Sequence, residues 1–473
     1  MKLRWRFMFW GTIFVCCTTL MTIFAVLREV GLGAPVAARV ESIHRNFKKT
    51  LENTSIMDGI NLLTSKERAV PDHQNASTYD AWVAGKRRER PNWVSSGSKD
   101  KKNGTQLLPW QQFHADINEN QMYSRNAPYM KDLLESLATT EIVDVGLFHG
   151  GSQLKLHVKL ADGNYAMLKP MRTPRSLVYN YDEEQPFWLD IERHNAEIAA
   201  FHLDRILNFR RSPPCAGRVL NITADIKMKT KDKDLLNSFF RDGGNTCFEG
   251  KCAPWFCNKD HPVCGRGEML EVSLCVMIPF YHGNEDPIFD RPNPWSHGIR
   301  EAQIWQEQNI CEEILKNSAN AEGRFLLDLV EQSIFDFLML NYDRHHFHML
   351  YKYGSKGFVV ALDNGKGFGN PYLDDLNLLG PLAQCCIIRD STFKYLLKVN
   401  GSREKLSDHM KHTLVKDLID PVIHETHLEA IDRRLMKLLD LIGDCINLYG
   451  EKRVMVKGKL DLPFPEVEVK MDM

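Results

Sequence analysis

Asp343 and Asp363 are the residues around which chemistry can be built. Asp343 follows a long apolar stretch, Phe325 to Asn341, whose pattern predicts a buried helix. A strand (Phe347 to Tyr353), a turn (Gly354 to Gly357) and a second strand (Phe358 to Leu362) then lead to Asp363-Asn-Gly-Lys-Gly-Phe-Gly369. Two carboxylates therefore end up at opposite ends of a short hairpin, each held by an apolar element. One so placed can orient an attacking hydroxyl, and the other can hold a divalent metal. The plain alternative is an αββ segment whose aspartates cap and turn. The glycines at 365, 367 and 369 fit either reading.

Elements upstream tilt the balance. Gln153 to Leu160 alternates, with Leu154, Leu156, Val158 and Leu160 on one face and Gln153, Lys155, His157 and Lys159 on the other. After the Asp162-Gly163 turn, the strand from Tyr165 ends on Lys169. Glu192 to Leu207 reads as an amphipathic helix with Ala196, Ala199, Leu203 and Ile206 on its buried side. A strand-end ammonium can neutralise phosphate oxygens while a helix carboxylate positions it or binds metal, and protein kinases use this order of Lys, Glu, Asp and Asp. No Walker-type loop, strict His-Arg-Asp or Asp-Phe-Gly is present, so the chain is not an ordinary protein kinase. A second core helix is predicted over about Leu428 to Leu448, and a polar tail from Glu451.

The 473 residues, 43% of them hydrophobic, suffice for a large two-lobed domain. A net charge of -1 argues against nucleic acid as a partner. Lys2, Arg4 and Arg6 precede an uncharged run from Phe7 to Leu27, which reads as a type II signal anchor, with a cleaved signal peptide as the alternative. Residues 28–109 are polar and basic and read as a flexible lumenal stem. Sequons at Asn53, Asn75, Asn103, Asn221 and Asn400 agree with the lumen, as do ten of the twelve cysteines lying beyond the apolar run. Cys247, Cys252, Cys257 and Cys264 admit a zinc reading, which an oxidising lumen disfavours. His345, His346 and His348 also invite a metal, but neighbouring histidines seldom face one ion and no further ligand is apparent.

Several segments together resemble the secretory-pathway kinases called "family with sequence similarity 20". They are Trp110 to Arg125, Gly151-Ser-Gln-Leu-Lys155, Lys169-Pro-Met-Arg172, Glu192 to Leu207, Phe209 to Arg218, Asp343-Arg-His-His346, Leu362-Asp-Asn-Gly365 and Gln384-Cys-Cys386. The resemblance implies an α+β, disulfide-stapled, atypical two-lobed kinase-like fold over 110–450. The β-rich N-lobe would span about 110–272, the linker about 273–279 and the helical C-lobe about 280–450. It implies Asp343 as the catalytic residue, Asp363 and Glu192 as metal ligands, and Gln153, Lys155 and Lys169 as phosphate contacts. Cys275, Val276, Met277 and Ile278 would form the adenine-holding linker, preceded by Glu271-Val-Ser273 where the family usually has Glu-Gly-Ser. The cofactors would be ATP and Mn2+, with Mg2+ as a substitute.

The same resemblance pairs Cys247 with Cys264, Cys252 with Cys257, Cys311 with Cys385 and Cys386 with Cys445, leaving Cys215 and Cys275 as buried thiols. It places the protein in the Golgi lumen, membrane-anchored or released by cleavage. The acceptor would be Ser in Ser-x-Glu motifs of secreted proteins. Gly369-Asn-Pro371 and Cys385-Cys-Ile-Ile388 look closer to the branch that phosphorylates glycosaminoglycan xylose. A third reading is a non-catalytic activator of another kinase, the role of a related pseudokinase that carries Gln where Glu192 stands; the retained Glu192 argues against it, so activity is expected here. A homodimer, or a heterodimer with such a pseudokinase, is the implied assembly.

Overall fold

The computed structural model describes residues 107–181, 186–279, 287–316 and 324–457. The expected anchor, the stem up to residue 106, and Asn53, Asn75 and Asn103 lie outside the described residues. Within them, no helix is long and apolar enough to cross a membrane.

Helix α1 (Pro109–Asp116) opens the described chain, with Pro109 in its first turn, where a missing N–H costs nothing. It is followed by α2 (Met130–Thr139), which buries Met130, Leu133 and Leu137 at helical spacing. Strands β1 (Ile142–Leu147), β2 (Leu156–Leu160) and β3 (Tyr165–Pro170) then form an antiparallel meander. Helix α3 (His194–Ile206) and strand β4 (Cys215–Asn221) come next. A small sheet of β5 (Phe239–Asp242), β6 (Asn245–Phe248) and β7 (Val263–Cys264) precedes β8 (Met269–Val276). The main sheet has the order β1-β2-β3-β8-β4, antiparallel throughout.

Three sequence expectations change here. The regular strand starts at Leu156, so Gln153 and Lys155 sit in the loop leading into it. Gln153, Lys155 and His157 are also buried, because both faces of this strand are covered. Glu192 lies before α3 rather than in it, and α3 is buried nearly all round, with Ile206 only half-buried. The third correction concerns Cys215 and Cys275, which are not free thiols: they stand directly opposite each other on β4 and β8 and are joined by a disulfide. That register is set by pairing across 60 residues, which cysteine spacing alone does not reveal. The departure at Glu271-Val-Ser273 leaves β8 regular, paired residue for residue with β3 and β4.

The second half begins with β9 (Ile288–Pro292) and α4 (Phe325–Met339), in which every residue is buried. Helix α4 stops at Leu340 in a left-handed conformation (φ 57°), which turns the chain sharply toward Asp343. Strands β10 (His346–Leu350) and β11 (Val359–Val360) are shorter than the sequence suggests, and β9 pairs on the other side of β10. After β12 (Ile388–Arg389), helices α5 (Asp390–Asn400), α6 (Leu406–Leu414) and α7 (Glu425–Tyr449) complete the helical part. Order runs past residue 450. β13 (Met455–Val456) pairs in parallel with β12, and Val454 and Met455 are buried, so the expected polar tail does not start at Glu451. Disulfides 247–264, 252–257, 311–385 and 386–445 are present. The first two occupy the cysteines that admitted a zinc reading.

Candidate active site

Lys169, at the end of β3, is the centre of a buried charge cluster. Its Nζ lies 2.5 Å from Glu197 Oε1, 2.7 Å from Asp363 Oδ1 and 2.8 Å from Glu192 Oε2. Lys155 adds a second ammonium, 2.9 Å from Asp363 Oδ2 and 3.8 Å from Glu192 Oε1. Burial alone would lower the Lys169 pKa, but Asp363, Glu192 and Glu197 outweigh it and hold it well above the usual lysine range. Asp363 is pushed up by burial and pulled further down by Lys155 and Lys169, ending well below the usual carboxylate range. Both groups are therefore charged at neutral pH.

Backbone and neighbours fix these side chains. Asp363 takes a left-handed conformation (φ 57°), an uncommon one for a residue with a Cβ, which aims its carboxylate back at the sheet. Gly365 allows close approach: a Cβ there would meet Glu192 Cβ at 2.9 Å. Gln153 accepts from Glu192 N at 2.8 Å and donates to Asp190 O at 2.7 Å. Its amide therefore clamps the segment carrying Glu192 instead of standing free.

Asp343 lies just beyond α4 and is joined to the Asp363 loop through Lys366. Its Oδ2 is 2.9 Å from Lys366 Nζ, its Oδ1 is 3.5 Å from His345 Nδ1, and its N–H donates to Asn341 Oδ1 at 3.1 Å. Burial pushes the carboxyl up, but the His345 hydrogen bond and the Lys366 charge outweigh it and leave it below the usual range. Buried Arg344 ties the two aspartate loops together. It pairs with Asp336 on α4 and donates to Asn364 Oδ1 at 2.8 Å and to the Leu362 carbonyl.

The structure thus brings Lys155, Lys169, Glu192 and Asp363 into contact and sets Asp343 beside them. The expected linker is partly committed: Val276 N–H donates to Pro214 O, Met277 N–H to Tyr165 O, and Met277 O accepts from His114. Cys275 is tied up through its side chain by the disulfide, and Ile278 is buried. Asn221 is half-buried, with its side chain accepting from Ala224 N, and Asn400 is exposed at the end of α5. Sequence reasoning missed Glu197, Lys366 and Arg344. Glu197 lies one turn inside α3 and was hidden by reading Glu192 as the helical carboxylate. Lys366, in the Asp363–Gly369 glycine-rich turn, had a visible signal, a cation between two glycines three residues after Asp363.

The donor set fits a hard divalent ion. Glu192 and Asp363 offer oxygens converging on one point, and Glu192 Oε2 is buried with only its ion pair to Lys169. Lys155 and Lys169 suit phosphate oxygens.

Charged lysines ringed by carboxylates beneath an antiparallel sheet, near an ionised aspartate behind a buried helix, carry the groups that kinase-like phosphoryl transfer requires. A family model described as "Golgi casein kinase, C-terminal, Fam20" matches residues 108–454, and the chain belongs to the Fam20 family. It is 38% identical over 390 residues to the Homo sapiens "Extracellular serine/threonine protein kinase FAM20C", covering 78% of this chain and 65%, just under two thirds, of that protein. It is 36% identical over 360 residues to the Danio rerio "Glycosaminoglycan xylosylkinase", covering 76% of this chain and 85% of that one. Among solved structures, the "crystal structure of the Golgi casein kinase with Mn/ADP bound" matches at TM-score 0.71 and 31% identity, covering 83% of this chain and 94% of that one. The fold is therefore the Fam20 kinase-like fold, and the nucleotide and Mn2+ in that relative agree with the donor set found here.

Proposed function

We propose that this chain is a lumenal ATP- and Mn2+-dependent kinase that phosphorylates Ser in Ser-x-Glu motifs of secreted proteins. The observation that carries the phosphotransfer reading is an ionised Asp343 whose loop is tied through Lys366 and Arg344 to the loop that brings Asp363 into the Lys155–Lys169–Glu192 cluster. In this reading Asp343 accepts a hydrogen bond from the serine hydroxyl and takes its proton as the new O–P bond forms and the bond from the γ-phosphorus to ADP breaks. Lys155 and Lys169 hold phosphate oxygens, and Lys366 keeps Asp343 ionised and oriented. Glu192 and Asp363 would hold Mn2+, which when bound would neutralise phosphate charge. The Golgi lumen, a membrane anchor at residues 7–27 and release by cleavage belong to the same proposal, as does pairing with a second copy or a related pseudokinase.

One observation favours a second acceptor. The chain spans 85% of the zebrafish xylosylkinase but 65% of the human protein kinase. The alternative is therefore transfer to the xylose of a proteoglycan linker. Offering the protein a Ser-x-Glu peptide and a xylose-bearing tetrasaccharide, each with labelled ATP and Mn2+, separates the two. Label on the peptide, lost when its Glu is changed to Ala, supports the first reading. Label on the sugar alone overturns it in favour of the second.

A further inference from the structure

The histidines beside Asp343 gain in three dimensions the ligand their sequence lacks. His346 and His348 alternate on β10, so their side chains leave the same face of the strand. Strand β9, which no sequence pattern predicts, pairs antiparallel with β10 and sets Asp290 directly across from His348. Asp290 Oδ1 lies 2.8 Å from His348 Nδ1, and Asp290 Oδ2 lies 3.8 Å from His346 Nε2. One donor atom from each of the three residues falls within 4.8 Å of the others. The two imidazole rings stand at 87° with centroids 4.8 Å apart, so they do not stack and shut each other off.

We infer that Asp290, His346 and His348 form a second metal site, chemically distinct from the nucleotide site, for a borderline divalent ion of the Zn2+ class. Two imidazoles and one carboxylate are the donors such ions prefer, whereas Glu192 and Asp363 offer oxygen alone and suit Mn2+ or Mg2+. Tetrahedral zinc binds nitrogen and oxygen at about 2.0–2.2 Å, which puts its donors a little over 3 Å apart. The two Asp290 distances, 2.8 and 3.8 Å, bracket that value, and the set as a whole, within 4.8 Å, draws in by side-chain rotation when an ion binds. Asp290 is exposed and the histidines are half-buried, so an ion enters from solvent and water completes its shell. The site also has a mechanical link to the active site. The His346 ring meets the His345 ring edge-on at 4.1 Å, and His345 in turn contacts Asp343. A bound ion therefore pins the strand that continues from the catalytic loop. This inference stands whether or not the phosphotransfer reading does, because none of its ligands belongs to the nucleotide cluster.

The test uses the full chain, stripped with a chelator and then titrated with Co2+ in saturating Mg2+, so that the carboxylate site is filled by a silent ion. We expect one equivalent of Co2+ to give a visible d–d band of low-symmetry coordination, displaced by Zn2+. His348→Gln and Asp290→Asn should each weaken Co2+ binding more than about tenfold. Glu192→Gln should leave it unchanged. The two ligand variants should keep the parental unfolding temperature in chelator, which separates lost ligation from lost fold. No band, a band that survives both ligand substitutions, or a band lost in Glu192→Gln overturns the inference. Should His348→Gln fail to fold, Asp290→Asn alone decides, since that side chain is exposed.

Discussion

Asp343 and Lys169 can be separated by what each touches. Asp343 contacts Lys366 and His345 but none of the groups that would hold phosphate, whereas Lys169 bridges Glu192, Glu197 and Asp363. Asp343→Asn should therefore cut turnover by about 10²–10⁴ while nucleotide affinity, measured calorimetrically, stays near that of the parent. Lys169→Met should lose both, because Glu197 then has no cation and Glu192 and Asp363 keep only Lys155. Equal nucleotide loss in the two variants would contradict the division of labour. At this scale the sequence was largely readable. Asp343, Asp363 and Lys169 each end an apolar element, and periodicity finds such ends. Glu197 escaped because α3 begins two residues later than its sequence suggests, and Asp290 because β9 carries no alternation. Gln153 was found, but its amide turned out to hold backbone, which only coordinates reveal.

Elements are held together by buried polar clasps more than by propensity. Arg434 on α7 is fully buried and donates to Leu338 O, Asn370 O and Leu373 O, and to Asp374 Oδ1 at 3.1 Å. Arg434→Met should cost about 3–5 kcal/mol in denaturant unfolding, since it takes a buried donor from three carbonyls at once. Asp374 itself is also paired with Arg433 and Lys437. Burial pushes its carboxyl up, but the Arg433 and Lys437 hydrogen bonds and the Arg434 charge outweigh that and lower it to about 2. A folded-state value below the unfolded one adds stability that is complete above the unfolded pKa and fades as pH falls toward the folded one. Stability should accordingly drop between about pH 4 and pH 2, and Asp374→Asn should flatten that limb when thermal unfolding is followed against pH. An unchanged acid limb would mean that Asp374 is not the group responsible. The pairing of β4 with β8 belongs to the same scale. Peptide mapping without reductant should recover Cys215 linked to Cys275, and replacing both by Ser should cost about 2–4 kcal/mol. Sequence spacing could not announce this bridge, because a 60-residue excursion separates two strands that meet only in the finished sheet.

Over the whole molecule, the site is assembled from distant parts of the chain. Lys169 and Glu197 come from β3 and α3, Lys155 and Glu192 from the loops leading into β2 and α3, and Asp343, Asp363 and Lys366 from the loops beyond α4. At the site they meet through ion pairs and backbone: Lys155 and Lys169 reach across to Asp363, and Arg193 N–H reaches Gly365 O at 2.7 Å. A ligand that takes donors from both parts adds to that contact and binds the folded chain alone. At a hundredfold excess over its dissociation constant it should stabilise by about 2.7 kcal/mol, enough to raise the midpoint of unfolding by several degrees. We expect Mn2+ with ADP to produce this shift and ADP with chelator to produce little, because the charge on the phosphates then goes uncompensated beside Glu192 and Asp363. Glu192→Gln should remove most of the Mn2+-dependent part, and Asp343→Asn should retain it, since Asp343 lies outside the predicted metal pair. A full shift in Glu192→Gln, read by scanning calorimetry at matched ligand saturation, would place the ion elsewhere.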